Sequence, residues 1–462
     1  MGRTGHSPVL NWHIVSAIPG ILWPAVPAPN AATKLSSLFQ LDQSQWWSAE
    51  KLRHHQFQQL RPLLRHCIET VPYYRKRLAK QITPETLSSE EWQQLPILTR
   101  DAVQQAGDQL HSRAVPPQHG KSWLQRTSGS TGKPVESYAT VLTNFFWNVL
   151  TLRDHLWHQR DLSGKLAVIR FTHDERAKAP HGLRSVNWGR ATEGLFETGE
   201  SSMIDVFAPI PELAAWLERE NPDYLLSLPS VIQDLALYCR EHKMTLPALR
   251  EVRTLGEALP HGLRELCQNV WGVKICDIYS TIELGYLALQ CPDHEHYHVQ
   301  SEGVILEILN DEGRPCGAGE VGRVVATTLH NYATPLIRYE VGDFAEAGEA
   351  CDCGRGLPVI KRIQGRYRNL LTLPSGDRRL PELGIQELYK IASVRQFQAA
   401  QLTLEDIEIR LVLPRPLSQA ETDKLTRFFQ QKMGEPFNIT IRQVKRLQRS
   451  AGGKYEEFIS EL

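Results

Sequence analysis

Short apolar strand patterns alternate with amphipathic helix patterns between residues 165 and 281, and this alternation constrains the fold of the 462-residue chain more than any other feature. Strands are predicted at 166–170, 224–228, 252–255 and 273–279, and helices at 231–242 and 262–271. Strands that alternate with helices build a parallel sheet, because each helix carries the chain back across the sheet. The predicted class is α/β, and ligands are expected at the carboxyl ends of these strands.

Composition excludes several function classes. The length suggests about two or three domains. Because 52 Lys and Arg balance 52 Asp and Glu, the charge provides no argument for nucleic acid or an anionic membrane as a partner. Eight scattered cysteines favour a cytoplasmic protein with buried thiols and one metal site over a disulfide framework. Three prolines interrupt the apolar run 15–29, which predicts no membrane-spanning helix; a cleavable signal peptide is the alternative interpretation of that run.

Hydroxyls, glycines and one lysine crowd into a single segment that is predicted to bind phosphate. Its residues are Thr127, Ser128, Gly129, Ser130, Thr131, Gly132, Lys133 and Pro134. Glycines let the backbone approach an anion, the hydroxyls and amides donate hydrogen bonds, and the lysine supplies a mobile positive charge. Pro134 excludes a Walker A loop, because no helix with a free amide can begin directly after the lysine. A flexible polar connector is the alternative interpretation.

Polar turns follow three of the predicted strands and are therefore candidate site elements. They are Ser227-Leu228-Pro229-Ser230, Gly256-Glu257-Ala258 and Tyr279-Ser280-Thr281-Ile282-Glu283. Each of them taken alone also fits an ordinary turn at the end of a strand. Their shared position at strand ends predicts that they border one ligand site.

Thiols and imidazoles concentrate in two further segments. Cys291 precedes a histidine cluster at 294, 296 and 298, and Cys351 and Cys353 follow far along the chain. Thiolates and imidazoles together favour a tetrahedral Zn²⁺ site, and a site with four protein ligands is structural because it leaves no open position. Free cysteines on a surface loop are the alternative.

The order of these motifs resembles the adenylate-forming (ANL) enzymes, and in particular the branch of phenylacetate-CoA ligase, the CapK-like proteins and the coenzyme F390 synthetase-like proteins. The most similar stretch is Pro-Leu-Ile-Arg-Tyr-Glu-Val-Gly-Asp at 335–343. Pro-Tyr-Tyr-Arg at 72–75, Leu-Pro-Ile-Leu-Thr at 95–99, Gly-Arg-Tyr-Arg at 365–368 and Arg-Ser-Ala-Gly-Gly-Lys at 449–454 also match. The resemblance spans residues 45–460.

The resemblance implies a role for each matching residue. Lys454, Glu283 and Lys133 would be catalytic, with Glu283 holding Mg²⁺, Lys454 at the α-phosphate and Asp343 on the ribose hydroxyls. ATP or AMP contacts are implied for Thr127, Ser128, Gly129, Ser130, Thr131, Gly132, Gly256, Glu257, Tyr279, Ser280, Thr281, Asp343 and Arg366. The zinc ligands would be Cys291, His298, Cys351 and Cys353, with His294 and His296 as alternates.

The chain departs from the family at Ser280, where Gly is usual, at Ile282, where a hydroxyl is usual, and at the hinge residue Arg368. A buried Arg-Asp pair and a solvated lysine are the respective alternatives for the 335–343 motif and Lys454.

The expected activity is ATP-dependent conversion of a carboxylic acid to acyl-AMP, followed by transfer to a thiol, with CoA as the expected co-substrate. An N-terminal domain over 1–365 would bind AMP, and a mobile α+β domain over 366–462 would carry the catalytic lysine. An aromatic or apolar acid is expected from the pocket candidates Phe146, Trp147, Phe171, Ser227 and Tyr286. Transfer to a carrier protein or an amine, and a non-catalytic nucleotide-binding protein, are the alternatives, and a homodimer is left open.

Overall fold

The computed structural model describes residues 12–127, 134–366, 371–379, 381, 388, 390–434, 437–450 and 452–462. The predicted Ser128 to Lys133 contacts and the hinge residue Arg368 lie outside these ranges. The helices are α1 Pro29–Ser44, α2 Ala49–Thr70, α3 Pro72–Leu78, α4 Ser89–Gln94, α5 Arg100–Ala106, α6 Val141–Trp157, α7 Ile210–Glu220, α8 Pro229–His242, α9 Leu263–Trp271 and α10 Gln419–Met433. No helix among the described residues is both long and apolar enough to cross a membrane.

A twelve-stranded mixed sheet dominates the larger domain. Its strands are β3 Leu166–Arg170, β4 Leu183–Ser185, β5 Ser201–Asp205, β6 Tyr224–Ser227, β7 Glu251–Leu255, β8 Lys274–Thr281, β9 Gly285–Gln290, β10 Tyr297–Val299, β11 Val304–Leu309, β12 Val321–Thr328, β13 Tyr339–Ala347 and β14 Val359–Arg366. Their order is β11-β12-β13-β14-β10-β9-β8-β7-β6-β3-β5-β4. A separate hairpin pairs β1 Ser122–Arg126 with β2 Glu136–Thr140.

The parallel part of this sheet confirms the α/β prediction. Strands β5, β3, β6, β7 and β8 pair in parallel, and all four predicted strands are present. The sheet becomes antiparallel from β8 onward, where β9 to β14 add a second half. Apolar residues of α7, α8 and α9 cover one face of the parallel half, and those of α1 and α6 cover the other. The carboxyl ends of the parallel strands are thereby brought to one edge.

Helix α2 shows how local sequence signals build the helices near the N-terminus. Ser48 caps the helix by accepting a hydrogen bond from the Lys51 amide, and the residues Leu60, Leu63 and Leu64 lie on one fully buried stripe. The helix ends at Val71, because Pro72 has no amide proton to continue its hydrogen bonding. Helices α2 and α3 pack on the antiparallel half of the sheet.

A separate small sheet forms the C-terminal domain. Its order is β19-β18-β17-β20, with β17 Gln396–Gln401, β18 Asp406–Val412, β19 Asn438–Gln443 and β20 Phe458–Ser460. Ser418 and Glu421 form a capping box that starts α10, which buries Leu425, Phe429 and Met433 against this sheet. A short pair, β15 Leu371–Thr372 and β16 Arg378–Arg379, joins the same domain, since Leu371 is part of its core. This arrangement confirms the expected α+β lobe.

Candidate active site and metal cluster

Lys454 of the C-terminal domain lies at the turn that follows β7. Gly256 occupies this turn with φ +85, and a Cβ atom there would lie 3.6 Å from Lys454 Cε and 3.8 Å from Lys454 Nζ. The backbone conformation favours glycine at this position, and the lysine lies within ordinary van der Waals distance of it. The structure brings together two residues that are far apart in sequence and were both predicted for the site.

A compact turn holds the lysine loop in place. The Ser450 amide donates to the Lys454 carbonyl at 2.8 Å, and the Lys454 amide donates to Ser450 Oγ at 3.1 Å. Gly453 has φ +80, and a Cβ atom there would lie 2.5 Å from Cγ1 of Val206, directly after β5. Only glycine fits this close approach, which agrees with the expectation that the loop bends into the cleft.

Tyr279 and Asp343 connect the parallel and antiparallel halves of the sheet. The Tyr279 hydroxyl donates to Asp343 Oδ2 at 2.8 Å, and both side chains are buried. Asp343 lies in β13 opposite Arg366 of β14 in the strand register. The Tyr279 hydroxyl fixes the orientation of the Asp343 carboxylate. Tyr279, Asp343 and Arg366, which are all predicted to contact the nucleotide, are therefore linked across β8, β13 and β14.

Glu283 lies in the turn between β8 and β9, and its side chain is 7% exposed. Thr281 Oγ1 accepts a hydrogen bond from the Leu284 amide at 3.0 Å and shapes this turn. Burial, followed by the charge of Glu283 and then that of Asp343, raises the pKa of the Tyr339 hydroxyl. The charge of Arg100 acts on that pKa in the opposite direction, so charges of both signs lie near this phenol, and Glu283 is the carboxylate that would suit a divalent cation.

Thr127 closes the ends of the predicted phosphate loop. Its amide donates to the Val135 carbonyl at 3.0 Å, and its hydroxyl accepts from the Val135 amide at 2.9 Å. Gln125, a residue with no motif signal, donates to the Ile282 carbonyl at 2.6 Å and so ties the strand before the loop to the Glu283 turn. Ile282 itself is 47% exposed. The strand that precedes the predicted phosphate loop is therefore anchored to the turn that carries Glu283.

Glu257 contacts the C-terminal domain. Its Oε1 accepts from the Tyr455 amide at 2.6 Å, and its Oε2 accepts from the Ser230 amide at 3.0 Å. Burial raises the pKa of Glu257, although Arg449 and these two bonds act in the opposite direction. One carboxylate oxygen of this predicted nucleotide-binding residue thus bonds to the C-terminal domain, and the other bonds to the first turn of α8 in its own domain.

The aromatic pocket candidates separate into three places. Trp147 packs on Tyr286 with ring centroids 4.6 Å apart, whereas Phe146 stacks on His330 at 3.9 Å. Phe171 follows β3 and contacts Phe207. Ser227 is buried, and its hydroxyl donates to the Ile169 carbonyl. Trp147 and Tyr286, which lie on α6 and β9, are the pair that forms a continuous apolar wall.

The predicted zinc ligands converge on one spot. Donor atoms of Cys291, His296, His298 and Cys351 all lie within 4.8 Å of one another. The sulfurs of Cys291 and Cys351 are 4.0 Å apart, and Cys353 Sγ lies 3.4 Å from His298 Nε2. Two zinc-bound sulfurs are expected to be ~3.8 Å apart from the Zn–S distance and tetrahedral geometry. The separation therefore fits a common metal ion.

The orientation of His298 fits the same ion. The side chain is fully buried, and its Nδ1 faces the Leu357 carbonyl at 3.4 Å, which leaves Nε2 directed at the thiols. An imidazole that binds a metal through one ring nitrogen typically donates a hydrogen bond from the other nitrogen, and the Leu357 carbonyl can accept such a bond here. His296, predicted as an alternate ligand, is one of the four donors named above, whereas Cys353 lies beside His298 and groups separately with Cys291 and Asp293. His294 bonds to Asp352.

Comparisons with known proteins agree with the resemblance that the sequence motifs indicate. The CapK C-terminal domain family matches residues 379–461. Phenylacetate-coenzyme A ligase of Thermus thermophilus is 25% identical over 335 residues, which are 70% of this chain and 72% of that protein. The same enzyme of Pseudomonas putida is 24% identical over 401 residues, or 81% and 84% of the two chains.

Solved structures share the fold. A 2-hydroxyisobutyryl-CoA ligase in its postadenylation state, in complex with an acyl-adenylate, superposes with a TM-score of 0.71 at 17% identity, covering 91% of this chain and 92% of that chain. The same ligase in its thioesterification state gives a TM-score of 0.58 at 18% identity, covering 90% and 91%.

Proposed function

We propose that this chain, which belongs to the phenylacetate-CoA ligase and CapK-like branch of the adenylate-forming enzymes, activates a carboxylic acid with ATP and transfers the acyl group to a thiol. The observation that carries the proposal is the approach of Lys454 to Gly256 at the carboxyl edge of the sheet. A lysine there can donate to an α-phosphate held between the strand ends and the phosphate loop.

The nucleotide would be held by residues from both halves of the sheet. Asp343, oriented by Tyr279, would accept hydrogen bonds from the ribose hydroxyls, and Gly256 would let the backbone approach the base. Arg366 would face the nucleotide from the neighbouring strand. Glu283 would hold Mg²⁺, which neutralises phosphate charge when bound. The segment 127–133, closed by Thr127, would hold the phosphates.

In the first step, an oxygen of the substrate carboxylate attacks the α-phosphorus of ATP, and the bond to pyrophosphate breaks. The carboxylate is already ionised at neutral pH, so this step needs no general base. Lys454 would stabilise the charge that develops at the α-phosphate, and the enclosing residues would position the reactants. In the second step a thiolate attacks the acyl carbonyl, and AMP leaves.

The acid is proposed to be aromatic or otherwise apolar, because Trp147 and Tyr286 present an apolar wall near the strand ends. CoA is the proposed acceptor, and the phosphopantetheine thiol of a carrier protein is the alternative acceptor. The reaction would take place in the cytoplasm. The comparisons support CoA, since the relatives and the structural neighbours named above are CoA ligases.

The metal cluster is proposed to hold one structural Zn²⁺. Cys291, His298, Cys351 and Cys353 would be its ligands, and the ion would tie the β9–β10 connection to the segment between β13 and β14. A closed set of four ligands stabilises the fold and takes no part in the reaction.

An ATP–pyrophosphate exchange screen over aryl, fatty and amino acids tests the proposal. We expect exchange that depends on one class of acid, and release of AMP when CoA is then added. ATP binding without exchange for any acid would instead support a non-catalytic nucleotide-binding protein. Lys445→Ala, which changes an exposed lysine of the same domain, should leave exchange unchanged.

A further inference from the structure

We infer that a set of contacts between the domains, here named the latch, positions Lys454 for the first half-reaction without touching the reactants. The latch consists of Ser230, Asp234 and Glu257 of the larger domain and Arg449 and Tyr455 of the C-terminal domain. The inference rests on the proposed function, and it assigns positioning roles to Arg449 and Asp234, which belong to none of the predicted sites.

Arg449 is the centre of the latch. Its Nη1 donates to Ser230 Oγ at 2.6 Å and to the Gly453 carbonyl at 3.1 Å, while Nη2 donates to Asp234 Oδ2 at 3.0 Å. The side chains of Arg449 and Asp234 are only 15% and 9% exposed. One guanidinium thus joins the first turns of α8 to the carbonyl next to Lys454. Charge-assisted bonds with this degree of burial are stronger than surface ion pairs.

Two further contacts surround this ion pair. Glu257 accepts from the amides of Ser230 and Tyr455, so it also connects α8 to the residue that follows Lys454. Gln396 of β17 donates to the same Asp234 oxygen at 2.5 Å. The lysine is therefore fixed from both sides, by Arg449 through Gly453 and by Glu257 through Tyr455.

The topology makes the latch specific to one domain arrangement. Ser230, Asp234 and Glu257 all belong to the larger domain, whereas Arg449 and Tyr455 belong to the C-terminal domain. Any rotation that withdraws Lys454 from Gly256 must break these contacts together. The second half-reaction needs the space that the lysine occupies, because the thiol must reach the same acyl carbonyl. The latch should therefore favour acyl-AMP formation and contribute nothing to thioester formation.

The test measures the two half-reactions separately in Asp234→Asn and Arg449→Met. We expect acyl-AMP formation to fall by about 10- to 100-fold, as for the loss of a charge-assisted bond, and thioester formation from preformed acyl-AMP to stay within about threefold of the parent. The double variant should be no slower than the slower single variant, because both changes remove the same interaction. Conservative Asp234→Glu should recover part of the loss.

Arg395→Met is the matched control, since it removes an ion pair between the same domains whose partners, Arg395 and Glu241, are 55% and 56% exposed and 3.5 Å apart. An exposed pair contributes little, so both half-reactions should change by less than about threefold. Thermal melting identifies any variant that fails to fold. Among folded variants, equal losses in both half-reactions, or additive losses in the double variant, would overturn the latch.

Small-angle X-ray scattering of the nucleotide-free protein tests the latch independently of activity. Arg449→Met should shift the profile toward a more extended arrangement of domains, and a profile unchanged from the parent would contradict the inference. A parent protein without acid-dependent exchange would refute the proposed function, whereas an active parent with parent-like latch variants would refute the latch alone.

Discussion

Replacing Arg338 with methionine is predicted to destabilise the protein strongly, although the residue belongs to the motif most similar to the adenylate-forming enzymes. Its guanidinium pairs with both oxygens of Glu307, at 3.1 and 3.0 Å, and donates to the carbonyls of Gln93 and Leu95 at 2.6 and 2.5 Å. The side chains of Arg338 and Glu307 are 2% and 12% exposed. The arginine of the motif therefore forms a buried pair with Glu307, while Asp343 bonds to Tyr279.

The expected loss in the free energy of unfolding comes from the Glu307 carboxylate, which stays buried when Arg338 is replaced. Removing one partner of a buried ion pair typically costs about 3–5 kcal/mol, because the other charge stays buried without compensation. Burial already raises the pKa of Glu307, despite the opposing effect of Arg338. Without the arginine this pKa should rise further. A carboxyl whose pKa is higher in the folded state than in the unfolded state stabilises folding at low pH, and this contribution is lost as the pH rises. The loss of stability in Arg338→Met should therefore be smaller at pH 5 than at pH 8.

Urea denaturation of the parent and Arg338→Met at both pH values measures this effect. Arg65→Met is the control, since Arg65 and Glu85 form an exposed pair with 52% and 50% exposure, and its loss should cost less than about 1 kcal/mol. Adding Glu307→Leu to Arg338→Met should recover part of the loss by removing the unpaired carboxylate. Equal effects at the two arginines, or no pH dependence, would refute the reasoning.

Three further predictions concern the metal, the nucleotide and the pKa of Glu457. Elemental analysis should find one zinc per chain in the parent, and Cys351→Ser should lose that zinc and lower Tm more than it weakens ATP binding. Cys316→Ser changes a thiol outside the cluster and should neither lose zinc nor lower Tm. A zinc-free parent would contradict the site. Glu283→Ala should slow pyrophosphate exchange by about 100-fold or more, whereas Asp343→Ala should mainly raise the KM for ATP; normal exchange in Glu283→Ala would show that magnesium binds elsewhere. Burial, with the charge of Glu257 added, raises the pKa of Glu457 from 4.5 to about 8. The protonated form of Glu457 is therefore favoured in the folded protein, so its contribution to stability should be largest below pH 4.5 and be lost as the pH rises to about 8, and Glu457→Gln should reduce the pH dependence of the free energy of unfolding measured by urea denaturation between about pH 5 and pH 9.

Local patterns predicted the parallel half of the sheet, because its strands are short apolar runs between turn residues and amphipathic helices. Strand β5 was missed, since Ser201-Ser202-Met203-Ile204-Asp205 has few apolar residues and is recognised only through its pairing with β3. In the antiparallel half, only the β11–β12 pair has a clear local signal, which is the turn sequence Asn310-Asp311-Glu312-Gly313 directly after β11. The long-range order of β13, β14 and β10 has no such local signal.

Site residues that stand in a distinctive sequence motif were predictable, whereas residues whose role depends on contacts between domains were not. Asp343 and Lys454 stand in distinctive sequences, and the structure places both at the edge of the sheet. Arg449 and Asp234 lie far apart in sequence and pair only because the C-terminal domain packs on α8. The family resemblance implies a nucleotide contact for Glu257, and only tertiary structure shows that its oxygens bond to Ser230 and Tyr455.

The central claim is that Lys454 acts in acyl-AMP formation alone, and the most direct test is to measure both half-reactions of Lys454→Ala with an acid identified by the exchange screen. Acyl-AMP formation should be nearly abolished, because the charge at the α-phosphate loses its donor. Thioester formation from preformed acyl-AMP should stay within about tenfold of the parent, a barrier change of about 1.4 kcal/mol or less. If both half-reactions fell by the same factor, the lysine would be structural, and the assignment of the two steps to two domain arrangements would be wrong.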